Sequence, residues 1–197
     1  KDHVETAECL DHLAEFYKDQ GDFAKAESHY KRALEICRKS YVKGHPQTAR
    51  TLVHQAYFFS AKGDYARALP LCKESLEIRQ KILGKEHPET AESLNHCAWM
   101  IQKMGRFSEA KKLYEESLEI RLKVLGESHP ETAQSLHNLG WVFQKLGDFP
   151  QAESCYQRAL KIRKEVLGTN HPDTAFTINN LGFLYRDLAD YSKSETL

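Results

Sequence analysis

The dipeptide His-Pro occurs at His45-Pro46, His87-Pro88, His129-Pro130 and His171-Pro172, a constant step of 42 residues, and one step back lies His3, followed by Val4. The same step carries a threonine column (Thr6, Thr48, Thr90, Thr132, Thr174) and a glycine column (Gly21, Gly63, Gly105, Gly147). It also carries an aromatic column (Phe23, Tyr65, Phe107, Phe149, Tyr191), a leucine column (Leu34, Leu76, Leu118, Leu160) and an isoleucine column (Ile36, Ile78, Ile120, Ile162). Columns that hold register without a gap define tandem units over 3–44, 45–86, 87–128 and 129–170, with a partial fifth over 171–197. A unit this short cannot bury its apolar face alone. It must stack on its neighbours, so the chain reads as one repeat domain over 1–197 with a continuous core between units.

Each unit reads as two helices. In the third, Pro88 suits a first helical turn, where its missing N–H costs nothing. Leu94, Cys97, Ala98 and Ile101 recur at helical spacing and mark a buried face over about 88–103. Met104-Gly105-Arg106 is a turn, and a second helix runs from Phe107 to about Leu125 with Ala110, Leu113, Tyr114, Ser117, Leu118 and Leu125 as its stripe. Gly126 ends it, as Gly84 and Gly168 end theirs; the first unit lacks that glycine, so its second helix should run on toward Gly44. Small residues (Ala14, Ala56, Ala98, Gly140, Gly182, and Ala26, Ala68, Ala110, Ala152, Ser194) mark close helix approach. The aromatic column is expected to fill the space between units, each ring being worth roughly 3–5 kcal/mol.

Lys plus Arg equals Asp plus Glu at 28 each. This balance argues against general attraction to nucleic acid or anionic lipid. No apolar run approaches the ~18 residues of a membrane span, and Lys1 to Glu5 shows no signal-peptide pattern. The cysteines (Cys9, Cys37, Cys72, Cys97, Cys155) are odd in number and widely spaced, which reads as small core residues in a reducing, cytoplasmic setting rather than a disulfide framework or zinc site. No Gly-rich phosphate loop, His-Glu-x-x-His or nucleophile elbow occurs. The expectation is a chain with no enzyme activity, cofactor or metal. The repeat pattern starts and stops within a unit, which predicts a segment of a longer protein.

The order of columns resembles the tetratricopeptide repeat: Leu136, Leu139, Gly140 and Phe143 match its first helix, and Ala152, Tyr156 and Ala159 its second. The segments EIRQKILGKEHPETAESLN, EIRLKVLGESHPETAQSLH and KIRKEVLGTNHPDTAFTIN are similar to the 42-residue repeats of kinesin light chains and nephrocystin-3. The resemblance implies an all-α, right-handed α-α superhelix of four helical hairpins plus a partial fifth, with each hairpin's first helix (helix A) lining a concave face that binds protein partners. On that reading one groove column is Glu15, Tyr57, Trp99, Trp141 and Phe183. Before it lie Asp11-His12, Val53-His54, Asn95-His96, His137-Asn138 and Asn179-Asn180; a turn later come Lys18, Ser60, Gln102, Gln144 and Arg186, with Lys103 and Lys145 beside them. The matching kinesin light chain signature, Leu-Asn-Asn-Leu-Ala, implies groove asparagines; here it reads Leu94-Asn95-His96-Cys97-Ala98, Leu136-His137-Asn138-Leu139-Gly140 and Ile178-Asn179-Asn180-Leu181-Gly182.

Large aromatics with few rotamers to freeze suit a binding hot spot, and asparagine can donate to and accept from an extended backbone at once. The expected function is an adaptor or scaffold that holds a partner's short peptide motif. The alternatives are a regulatory, sensor or self-assembly array within a larger protein, as in the related arrays behind nucleotide-binding domains, and aromatics that merely stiffen the stack. A clamp for a chaperone's C-terminal carboxylate fits poorly, because the positions it needs are mainly Asp, His and aromatic. The His-Pro histidines should cap the A helices or hydrogen-bond the connector, and the Glu/Lys/Arg run from Arg158 to Glu165 should be a solvated face.

Overall fold

The computed structural model describes residues 4–40 and 44–189. Among them are nine α-helices and no strand: α1 (Val4–Asp19), α2 (Phe23–Ser40), α3 (Pro46–Ala61), α4 (Tyr65–Ile82), α5 (Pro88–Lys103), α6 (Phe107–Val124), α7 (Pro130–Leu146), α8 (Phe149–Val166) and α9 (Pro172–Asp187). Odd-numbered helices are the A helices of the repeat and even-numbered ones the B helices. The chain divides into two compact units, Lys1–Met100 and Ile101–Leu197. In the first, α1 packs on α2, α2 on α3 and α3 on α4; in the second, α6 packs on α7, α7 on α8 and α8 on α9. His3, Tyr191 and Ser194 lie outside the described residues. So does the stretch 41–43, over which the first B helix is expected to run on toward Gly44.

The connector has a physical reason for each of its fixed residues. Histidine Nδ1 accepts the backbone N–H two residues on, at 3.2 Å from Gln47, Glu89 and Glu131 and 3.1 Å from Asp173. It thereby satisfies one of the N–H groups a helix start leaves open, while proline occupies the position that needs no donor. Thr90, Thr132 and Thr174 donate back to the carbonyls of Gly84, Gly126 and Gly168 at 2.8–2.9 Å. Those glycines sit at φ of +95°, +88° and +88°, which L side chains rarely adopt. Thr48 has no such glycine before it, and among the described residues its buried hydroxyl has no hydrogen-bond partner.

The junctions between repeats carry a buried cation absent from the sequence expectation. Arg79, Arg121 and Arg163 occupy one column and are 7%, 3% and 2% exposed. Each reaches from a B helix to the A helix of the following repeat. Nη1 donates to the Glu89, Glu131 or Asp173 carbonyl (3.0, 2.8 and 2.9 Å) and to Ser93, Ser135 or Thr177 Oγ (2.9, 2.9 and 2.6 Å). Five fixed donors suit a guanidinium to this fork, and burial is tolerated because Nη1 is hydrogen-bonded twice at each position. The reading of the charged residues over 158–165 as a solvated face is therefore corrected at Arg163, which is buried, while Arg158, Lys161, Lys164 and Glu165 are exposed.

The large buried rings also differ from expectation. Tyr30, Tyr114 and Tyr156 are fully buried on the B helices, whereas Phe23 is 44% exposed and Tyr65, Phe107 and Phe149 are half-buried. The latter start their helices beside the A–B turn, so they close the margin of a junction instead of filling its interior. They do bridge repeats, since Phe23 lies 6.2 Å from Phe58, Tyr65 6.1 Å from Trp99 and Phe107 5.7 Å from Trp141. The small column holds as read: a Cβ on Gly140 would come within 2.9 Å of the Tyr156 ring. Four cysteines are buried, but Cys9 is exposed.

Candidate functional site

The column that precedes the groove aromatics is largely buried, and at Asp11 and His137 it forms a seam with the next A helix instead of a wall of the groove. Asp11, Val53, Asn95 and His137 are 2%, 7%, 8% and 3% exposed. Two of them meet the next A helix: Thr51 Oγ1 donates to Asp11 Oδ2 at 2.6 Å, and Thr177 Oγ1 lies 3.3 Å from His137 Nδ1. Asn180, 9% exposed, joins the second contact, 3.1 Å from His137 Nε2. Asn95, His137 and Asn180 are thus withdrawn from the set of groove-presenting side chains. Burial raises the Asp11 carboxyl, against the pull of Thr51 and His54, and lowers the His54 imidazole. His137 falls to about 3, because burial and the Arg163 guanidinium both oppose a second positive charge there.

In the first unit the aromatic column does line a cleft. A recess of about 580 Å³ is formed by Glu15 and Lys18 of α1, His54, Tyr57, Ser60 and Ala61 of α3, and Trp99 of α5. Three A helices supply it, each from the position one repeat on, so the 42-residue step is what brings Glu15, Tyr57 and Trp99 together. Tyr57 is 36% exposed and meets the half-buried His96 ring edge-on at 4.8 Å. Trp99 is half-buried, its indole set edge-on to Tyr65. It is braced by the stack and still reaches the cleft, intermediate between the two uses weighed from sequence. Burial would raise the Glu15 carboxyl, but hydrogen bonds from Lys18 and Tyr30 outweigh it and hold the group below its ordinary value. The cleft therefore presents an aromatic wall, a phenol pushed well up by burial, and one internally neutralised ion pair.

The second unit repeats the theme with a cation laid on each aromatic. Trp141 is half-buried, with Lys145 Nζ 5.2 Å from its ring centre. Phe183 is 42% exposed, with the Arg186 guanidinium at 4.8 Å. A positive charge over the negative face of a ring is favourable, and more so as water is excluded. Asn138 is half-buried and accepts from Gln134 at 3.0 Å; Asn179, Lys103, Lys145 and Arg186 are exposed. Sequence reasoning missed the cation–ring pairs, although the i+3 and i+4 spacings of Phe183–Arg186 and Trp141–Lys145 could have signalled them.

No group of three or more His, Cys, Asp or Glu among the described residues is arranged to hold a metal ion. None of the described helices is long and apolar enough to cross a membrane.

Comparison with known proteins gives concordant results. The tetratricopeptide repeat family model matches residues 4–57, 47–121, 100–165 and 142–197. Among solved structures, BtubC (BKLC) from P. vanneervenii is 28% identical, with a TM-score of 0.86 over 98% of this chain and 77% of that one. A Podosopora anserina protein described as a kinesin light chain with nearly identical TPR-like repeats is 23% identical, with a TM-score of 0.84 over 100% of this chain and 93% of that one. The apo form of RapI is 17% identical, with a TM-score of 0.83 over 96% of this chain and 66% of that one. A comparison with curated proteins found no match.

Proposed function

Because this chain belongs to the tetratricopeptide repeat family, whose members generally mediate protein–protein interaction and are typically scaffolds rather than enzymes, we propose that it is a cytoplasmic adaptor or scaffold that binds a short extended peptide on its A-helix face. We read 1–197 as one functional domain. In the first unit Tyr57, His96 and Trp99 would make the contacts; in the second, Lys103, Asn138, Trp141, Lys145, Asn179, Phe183 and Arg186 would. One observation carries the reading: Tyr57 and Trp99, from successive repeats, meet in a cleft of about 580 Å³ with solvent access. That size lies within the range of sites that accept a large side chain, and aromatics flanked by polar groups are what hot spots are made of.

A peptide array probed with the chain, followed by titration of the hits against Trp99→Phe and Trp141→Phe, tests it. Phenylalanine keeps an edge-on ring for Tyr65 and Phe107 while removing the indole N–H and part of the contact surface. Binding should fall roughly ten- to hundredfold with the circular dichroism unchanged; unaltered affinity for both variants would refute the groove. A second reading, self-association of the array, draws on Phe176 (55% exposed), Phe183 and Leu188 (41%) of the α9 region. Light scattering that rises with concentration without added peptide would favour it.

A further inference from the structure

We propose that Cys72 and Cys97 are a paired oxidation site, and that they close an intramolecular disulfide pinning α4 to α5 when the thiol–disulfide poise turns oxidising. Their sulfurs lie 2.7 Å apart, both within the first compact unit, although the residues are 25 positions apart in the chain. A disulfide needs about 2.05 Å between sulfurs, so only a small closing movement separates the dithiol from the bond. Both positions depart from their columns together: Tyr30, Tyr114 and Tyr156 stand where Cys72 does, and Gln55, Leu139 and Leu181 where Cys97 does. The other cysteines offer no such pair. Cys37 faces a threonine hydroxyl at 3.8 Å, and Cys9 is exposed on α1.

Both thiols are fully buried, and the contact with Cys97, together with burial, pushes the Cys72 thiol up. The reaction therefore runs through local opening of the α4–α5 junction. In the open state one thiol loses its proton to water. The thiolate attacks one sulfur of glutathione disulfide, breaking that S–S bond and expelling one glutathione thiolate. The second cysteine, deprotonated in turn, attacks the protein-side sulfur of the mixed disulfide and expels the second glutathione. Two protein thiols are oxidised, one small-molecule disulfide is reduced, and two glutathiones leave. The core selects the product, since a glutathionyl group does not fit a fully buried position and only the intramolecular bond lets the junction close. Closing this loop removes disorder from the unfolded chain, so the melting temperature should rise by about 5–10 °C. The bond also fixes α5 two residues before Trp99.

The test is to incubate the chain with glutathione disulfide at a temperature where amide exchange reports opening of the connector, alkylate free thiols, and map the digest by mass spectrometry. The expected result is a Cys72–Cys97 linked peptide pair, Cys37 and Cys155 carrying the alkyl label, and a melting temperature that rises and then reverts with dithiothreitol. Alkylated Cys72 and Cys97 after exchange, a persistent glutathione adduct on either, or a bond that forms without raising the melting temperature would each overturn the proposal.

Discussion

His137 should make this protein acid-sensitive in a way one substitution removes. Its ring is 3% exposed, with Nδ1 facing Arg163 Nη1 at 3.5 Å and Thr177 Oγ1 at 3.3 Å, and Nε2 3.1 Å from the Asn180 carboxamide. The guanidinium and the Asn180 Nδ2 amide only donate, so each ring nitrogen faces a donor and a second ring proton would have no acceptor at either. The folded state holds the imidazole at about 3, against 6.5 in the free chain. The unfolded chain therefore binds the extra proton first as pH falls. The stabilisation is fully present above pH ~6.5 and is lost progressively from there down toward pH ~3, where the folded ring also protonates. Each unit in that window costs about 1.36 kcal/mol, so between pH 7 and pH 5 this one ring should take away about 2 kcal/mol. Asparagine is the natural replacement, because it fills the same column at buried Asn95. Urea unfolding of the native chain and His137→Asn at both pH values isolates the contribution, since every other titrating group is common to both. The variant should lose about 2 kcal/mol less on acidification. Equal losses in the two proteins would mean that His137 is not held neutral.

Three further outcomes follow from the packing. Tyr114→Ala, which empties a fully buried site and orphans a hydroxyl bond to Gln102 at 2.9 Å, should cost about 3–5 kcal/mol. Phe107→Ala should stay under about 2 kcal/mol, and thermal melts compare the two. Arg121→Met removes donors from the Glu131 carbonyl and Ser135 and should cost about 2–3 kcal/mol by urea midpoint; Arg121→Lys should recover only part, having one nitrogen in place of a fork. His129→Ala should cost about 1 kcal/mol and speed amide exchange at Glu131, whose N–H it caps, with no change in metal content.

Much of this was legible from the 42-residue step. The A helices, the glycine stops, the capping role of the His-Pro histidines and the meeting of Glu15, Tyr57 and Trp99 all follow from columns that repeat. What escaped reading has a common cause. A period shows which residues are equivalent but not which side of a neighbour they face, so Asn95 and His137, one position from exposed or half-exposed residues, passed for groove. Arg163 sits among Lys161, Lys164 and Glu165 and was read with them, although helical geometry turns it 100° from its neighbour and into the junction. The Cys72–Cys97 contact joins two different columns, which no search within a single column reveals.

The arginine fork also sets where this array comes apart. Through Nη1 it ties each of these B helices to the next A helix, and at Arg163 Nη2 also holds Gln134 of its own hairpin partner at 2.8 Å, so much of the grip resides in the joints. At the first joint the position is Cys37, whose sulfur lies 3.8 Å from the Thr51 hydroxyl, and among the described residues the Thr48 hydroxyl has no counterpart of the glycine carbonyl its equivalents hold. The leading hairpin is thus the one most weakly latched to its successor. Unfolding should peel inward from that end, exposing the Glu15–Lys18 side of the cleft before Tyr57 or Trp99 is disturbed.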